Sequence, residues 1–91
     1  MAKTEQDLTI SKTWQDLTAS YSGMASAASY VQNKSFSAVP QLLVVFSASG
    51  TPPNGTTGMR LSPGDLTQGT AAHIWVRAYR EDVLISCGTT D

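Results

Sequence analysis

The stretch Gln41-Leu42-Leu43-Val44-Val45-Phe46-Ser47-Ala48 decides the fold. Pro40 before it suits the start of a strand, where no ladder donor is needed. In an extended chain Leu42, Val44 and Phe46 point one way and Leu43 and Val45 the other, so both faces of this strand are apolar. One face serves the domain's own core. A chain of 91 residues has little left to cover the second, which is expected to meet a partner subunit.

Outward from this strand the same period-2 logic continues. Leu8, Ile10, Lys12 and Trp14 alternate with Thr9, Ser11 and Thr13, a strand with one apolar side. A strand is expected from Tyr30 to Phe36, turning through Ser37 to Pro40 into the central one. Ala19 to Ser29 is rich in small residues and carries no clear pattern. The run from Ser49 to Gly58, with Pro52-Pro53 and Asn54-Gly55, reads as an exposed turn-rich tip. Met59-Arg60-Leu61 is a short strand ended by the Ser62-Pro63-Gly64-Asp65 turn, and a polar link follows through Gly69.

Two runs, His73 to Tyr79 and Asp82 to Gly88, close the chain, and Arg80-Glu81 between them is short enough for a hairpin. Ile74, Val76 and Ala78 are expected inward, opposite Val83, Ile85 and Cys87. The other side shows His73, Trp75, Arg77, Tyr79 and Leu84, more aromatic and apolar than a solvated face. Helical periodicity is absent from every longer window, and strand signals recur at roughly 8–12-residue spacing. The expected architecture is all-β: a small antiparallel β-sandwich or jelly-roll-like barrel, residues 7–91, behind a short N-terminal arm, residues 1–6. The second apolar surface, on Leu43, Val45, Trp75, Arg77, Tyr79 and Leu84, is the expected subunit or partner interface.

Composition narrows the functional classes. Charged residues make up 14% of the chain, against about 25% in ordinary soluble domains. Serine and threonine, 11 of each, take their place. A net charge of −1 offers no basic footprint, so no nucleic-acid partner is expected, although Trp75, Tyr79 and Arg77 would otherwise make a stacking platform. A lone cysteine, Cys87, excludes an internal disulfide. The amino terminus has no apolar run of a secretory signal, and no segment reaches the roughly 18 apolar residues of a membrane helix, so a cytoplasmically made protein with no membrane partner is expected.

Reactive chemistry is not legible. Metal binding needs three or four convergent ligands, and the chain has one His and one Cys, His73 and Cys87, without paired spacing. His73 reads as a half-exposed strand residue rather than a catalytic base, and Cys87, in register with Val83 and Ile85, as a small buried hydrophobe. The glycines are turn residues, since no Lys-Ser/Thr follows them at phosphate-loop spacing. No catalytic, cofactor or metal residue is expected.

One ordered combination goes further. Trp14-Gln15-Asp16-Leu17-Thr18 opens it, followed by Val31-Gln32-Asn33, Leu42 to Phe46 and Gly58-Met59-Arg60-Leu61 with Pro63-Gly64. His73-Ile74-Trp75-Val76-Arg77-Ala78 and Val83-Leu84-Ile85-Ser86 complete the order. It resembles the small β-structured proteins encoded among the virion structural genes of tailed bacteriophages. The resemblance implies a symmetric, non-enzymatic virion component made in the host cytoplasm. A capsid decoration or cement protein, dimeric or trimeric and bound to the major capsid protein, is the leading expectation. A neck- or tail-associated module that binds a receptor or carbohydrate through Trp75, Tyr79 and Arg77 is the alternative. An enzyme would have to hinge on His73.

Overall fold

The alternation around Val44 is realised as a strand, β5 (Leu42–Ser47), paired on both sides within one sheet of a two-sheet sandwich. The computed structural model describes residues 3–37 and 39–90. The other strands among them are β1 (Lys3–Thr4), β2 (Leu8–Ile10), β3 (Gln15–Asp16), β4 (Ala28–Asn33), β6 (Met59–Leu61), β7 (Leu66–Thr70), β8 (His73–Ala78) and β9 (Val83–Thr89). A one-turn helix, α1 (Leu17–Ser20), and a 3-10 turn at Ser22–Met24 occupy the stretch whose sequence had no pattern. One sheet runs β1-β9-β4-β7, with β2 also pairing β9; the other runs β3-β8-β5-β6, and every pairing is antiparallel.

Counting β2 to β9 as strands one to eight, the sheets read 1-8-3-6 and 2-7-4-5, the strand order of a jelly roll. The chain is a long hairpin folded over, with its bends gathered at one end of the sandwich. The 11–14 bend runs beside the 79–82 bend, where the Ala78 amide donates to the Ser11 carbonyl at 2.8 Å. The 34–41 bend lies beside the 62–65 turn, where the Gly64 amide donates to the Asn33 carbonyl at 2.7 Å.

This bending corrects several expectations. The single strand expected over residues 8–14 ends at Ile10 as β2, because the chain turns the corner at Ser11 to Trp14 and enters the other sheet only with β3 at Gln15. The strand expected to end at Phe36 ends at Asn33 for the same reason. The runs around Trp75 and Ile85 are not a hairpin, since residues 79–82 carry the chain from one sheet to the other. The polar link through Gly69 is a strand, β7. Its Leu-Thr-Gln-Gly-Thr sequence shows no apolar alternation, because its inward positions are Thr67 and Gly69 while Leu66, its one large apolar residue, is exposed. Of the N-terminal arm, Lys3 and Thr4 pair with Thr89 and Gly88, and the Glu5 amide donates to the Cys87 carbonyl at 2.9 Å. Met1, Ala2, Ala38 and Asp91 lie outside the described residues, so the arm's first two residues, one residue of the Ser37 to Pro40 turn and the last residue of the domain range do too.

The inward sets are as the alternation predicts. Ile74, Val76 and Ala78 face Val83, Ile85 and Cys87, all fully buried, but across the sandwich rather than between neighbouring strands. Leu42, Val44, Val31, Ile10, Leu17, Met24 and Leu61 complete the core. Burial in this apolar setting pushes the Cys87 thiol up to about 11, with the carboxylates of Glu5 and Asp7 adding to the effect, so it is an inert core residue.

Asn33, fully buried, holds the corner together. Its Nδ2 donates to the Pro40 carbonyl at 3.0 Å and the Leu61 carbonyl at 2.9 Å, while its Oδ1 accepts from the Ser35 amide at 3.1 Å. These are backbone groups that the bend takes away from sheet pairing and from water. Asn33→Leu, similar in size, strips all three of their partner and is expected to cost about 2–4 kcal/mol. Urea unfolding measures it, and a loss well under 1 kcal/mol would show that other groups take over the bonds.

Candidate functional site

The outer face of the β3-β8-β5-β6 sheet gathers most of the singled-out residues. Leu43 and Val45 point outward from β5, and in register beside them stand Arg77 and Trp75 of β8. Both Leu43, 3% exposed, and Trp75, 7% exposed, are buried while lying outside the main core. Their cover comes from the same chain. The 48–58 connection between β5 and β6, exposed along most of its length as expected for Ser49 to Gly58, folds back across this face as a strap.

Three side-chain donors hold the strap. Trp75 Nε1 donates to the Ser49 carbonyl at 3.1 Å, and Trp14 Nε1 and an Arg77 terminal nitrogen both donate to the Gly55 carbonyl at 3.2 Å. The Arg77 guanidinium also sits 6.0 Å from the centroid of the Trp14 ring, a cation–π contact. Where the strap re-enters β6, Gly58 has φ +113°, and a Cβ there would lie 2.6 Å from Val45 Cγ2 and 2.7 Å from the Val44 carbonyl oxygen. Only glycine allows both that conformation and that approach.

One edge of the face carries an oriented imidazole. Asp16 caps α1, its Oδ1 accepting from the Thr18 amide at 3.0 Å, the Thr18 hydroxyl at 2.7 Å and the Ile74 amide at 3.4 Å. Its Oδ2 lies 2.7 Å from His73 Nδ1. Burial alone raises this carboxyl's pKa, but the bonds from the Thr18 hydroxyl, His73 and the two backbone amides outweigh it and hold Asp16 below its usual value. An ionised carboxylate only accepts, so Nδ1 carries the shared proton and Nε2 is the remaining ring nitrogen. Nε2 faces Gly50 of the strap, and the ring stacks on Trp75 with centroids 6.4 Å apart. Among the described residues no hydroxyl bonds to Nε2, and no group of three His, Cys, Asp or Glu side chains is placed to hold a metal.

The six residues expected to form one interface do not share a face. Leu43, Val45, Trp75 and Arg77 lie under the strap. Tyr79, just beyond β8, is half-buried at the corner, with the Arg80 guanidinium 5.2 Å from its ring centroid. Leu84 belongs to the other sheet, where it pairs with Thr9 and points away from the core that Val83 and Ile85 enter. Sequence reasoning missed Trp14 and Asp16 as parts of this face. The signal for Asp16 was present, an Asp directly before Leu17-Thr18-Ala19-Ser20, which is a helix cap. Nothing in a loop of Pro, Gly and Thr indicates that its carbonyls will meet two indoles.

No family model matches the chain, and neither a curated protein nor a solved structure matches it. The virion resemblance therefore stands on the residue order alone.

Two outcomes test this site. Because Asp16 is held ionised more strongly in the folded than in the unfolded chain, its stabilisation is complete above the ordinary value of 3.8 and is lost as pH falls through that value toward the lower folded one. Asp16→Asn keeps a capping side chain but loses the charge in the bonds to the Thr18 hydroxyl and His73, and is expected to cost about 1 kcal/mol at neutral pH. In urea titrations across the acid range, the gap to wild type should close; a gap of constant size at every pH would contradict the account. Gly58→Ala should lift the strap, and in a Trp14→Phe background, where Trp75 is the remaining indole, its emission should move to longer wavelength. Unshifted emission would mean the strap is not what covers Trp75.

Proposed function

We propose that this protein is a non-enzymatic structural component of a tailed-phage particle, a decoration or cement protein that binds copies of itself and the major capsid protein. The observation that carries the proposal is where apolar surface remains once the strap is in place. Among the described residues, the large exposed hydrophobics are Phe36 at 89%, Val39 at 63%, Leu66 at 47% and Met59 at 43%. Phe36 and Val39 project from the 34–41 bend, Leu66 follows the neighbouring 62–65 turn, and Met59 opens β6 on the same side of the sandwich. Between the two bends lies an open cleft of about 600 Å³ lined by Ser35, Phe36, Ser37, Ser62, Pro63 and Gly64.

Apolar side chains concentrated on one end, in a chain with few charges to desolvate, suit a protein that works by being buried against others. Two of the charges nearby are engaged: Lys34 pairs with Asp7 at 2.6 Å, and the Asp65 carboxylate accepts from the Ser62 amide at 3.0 Å. A jelly roll is also an architecture shared by capsid and lectin domains, which agrees with the resemblance as a fold-level analogy and no more. The receptor- or carbohydrate-binding alternative needs Trp75 open to a ligand, and the strap would have to be displaced first.

Electron microscopy of particles with this chain localised, together with sedimentation of particles lacking it, tests the proposal. The expected result is a regular array of the protein on the capsid and a less stable shell without it. Phe36→Asp should weaken attachment while leaving the isolated fold intact. A chain absent from the particle, or particles unchanged by its deletion, would overturn the reading.

A further inference from the structure

Each sheet has two edges, and they are not alike. On one side of the first sheet the edge is made of β1 and β2, two and three residues long, with Lys3 in β1. In the second sheet the edges are β3, two residues including Asp16, and β6, three residues centred on Arg60. Short length and a charged residue are the usual protections against pairing with another chain.

Strand β7 has neither protection. It is five residues long, Leu66-Thr67-Gln68-Gly69-Thr70, with no charge and no proline. It is paired to β4 along one side through five residue pairs in unbroken register, Ala28 with Thr70 to Gln32 with Leu66, so no bulge twists it away. Along its other side no backbone partner occurs among the described residues. Leu66, Gln68 and Thr70 are exposed on its outer face, while Gly69 rests against the Phe46 ring on the inner one.

We infer that β7 is a pairing edge whose occupant is β7 of a second copy, joining the two five-stranded sheets into one. The segment is complementary to itself. Antiparallel pairing about a two-fold axis at Gln68 sets Gln68 opposite Gln68 of the second copy, Thr67 opposite its Gly69, and Leu66 opposite its Thr70. No like charges meet, and the central pair is two amides that can donate and accept to each other. A two-fold axis closes the contact at two copies rather than propagating it. This deepens the assembly reading and rests on it only for the choice of a second copy as the occupant.

The test uses charge at the axis. The mass of the wild-type chain in solution should be that of a dimer at micromolar concentration. Gln68→Lys and Gln68→Glu each place like charges across the axis. Each alone should shift the mass to monomer, with the dissociation constant raised about tenfold or more at low salt. Mixing the two variants should restore the dimer, because Lys then faces Glu. Gln68 is exposed, so both should fold. As a measurement independent of any variant, amide exchange in wild-type β7 should slow as protein concentration rises.

A monomeric wild type, a trimer, dimers unaffected by either variant, or a mixture that stays monomeric would each overturn the pairing. These outcomes are separable from the virion proposal. A monomer that still decorates particles removes the β7 contact alone, while a β7-paired dimer absent from particles removes the virion reading alone.

Discussion

The structure depends on the corner at which a long hairpin bends from one sheet into the other. Bending a strand pair through such an angle takes backbone amides and carbonyls out of their ladder and, in a small sandwich, also out of water. Asn33 resolves most of that at one place: a single buried amide meets two carbonyls on two different segments and one backbone amide on its own. With the corner held, the inward faces of β8 and β9 are forced to meet across the sandwich. Ile74, Val76 and Ala78 then bury against Val83, Ile85 and Cys87 although the strands are not hydrogen-bonded neighbours.

A second constraint follows from β5, which is apolar on both faces. The inner face is satisfied by the opposite sheet. The outer face is covered by ten or so residues of loop that carry almost no apolar weight of their own. They do it by lending carbonyl oxygens to the polar edges of two indoles and a guanidinium. The apolar ring faces are thereby closed off with few new hydrophobic residues. What the chain leaves exposed is shifted to the corner and to the β6–β7 side.

Much of the fold was legible because the period-2 alternation survives around Val44, Ile74 and Ile85, and it correctly assigned which side of each strand is buried. Topology was not legible. A strand that bends between sheets keeps its alternation through the bend, so Leu8 to Trp14 reads as one strand when it is the short strand β2 followed by the corner. The short Arg80-Glu81 connection likewise suits a hairpin and a crossover equally. Edge strand β7 was missed because its single half-exposed Leu gives no pattern. For the outer face, Trp75, Arg77, Leu43 and Val45 were recognisable as too apolar for solvent. Their cover was not, because strap and sheet recognise each other through backbone carbonyls, which every sequence has.

The pairing of β1 with the end of β9 also fixes how the molecule bears load. Lys3 faces Thr89 at the end of the sandwich away from the corner, so the first and last strands of the fold lie side by side and antiparallel there. A pull that separates them acts along the inter-strand hydrogen bonds, which lie across the strands, and opens them one after another from the edge. Held by its ends the protein is a zipper and yields early.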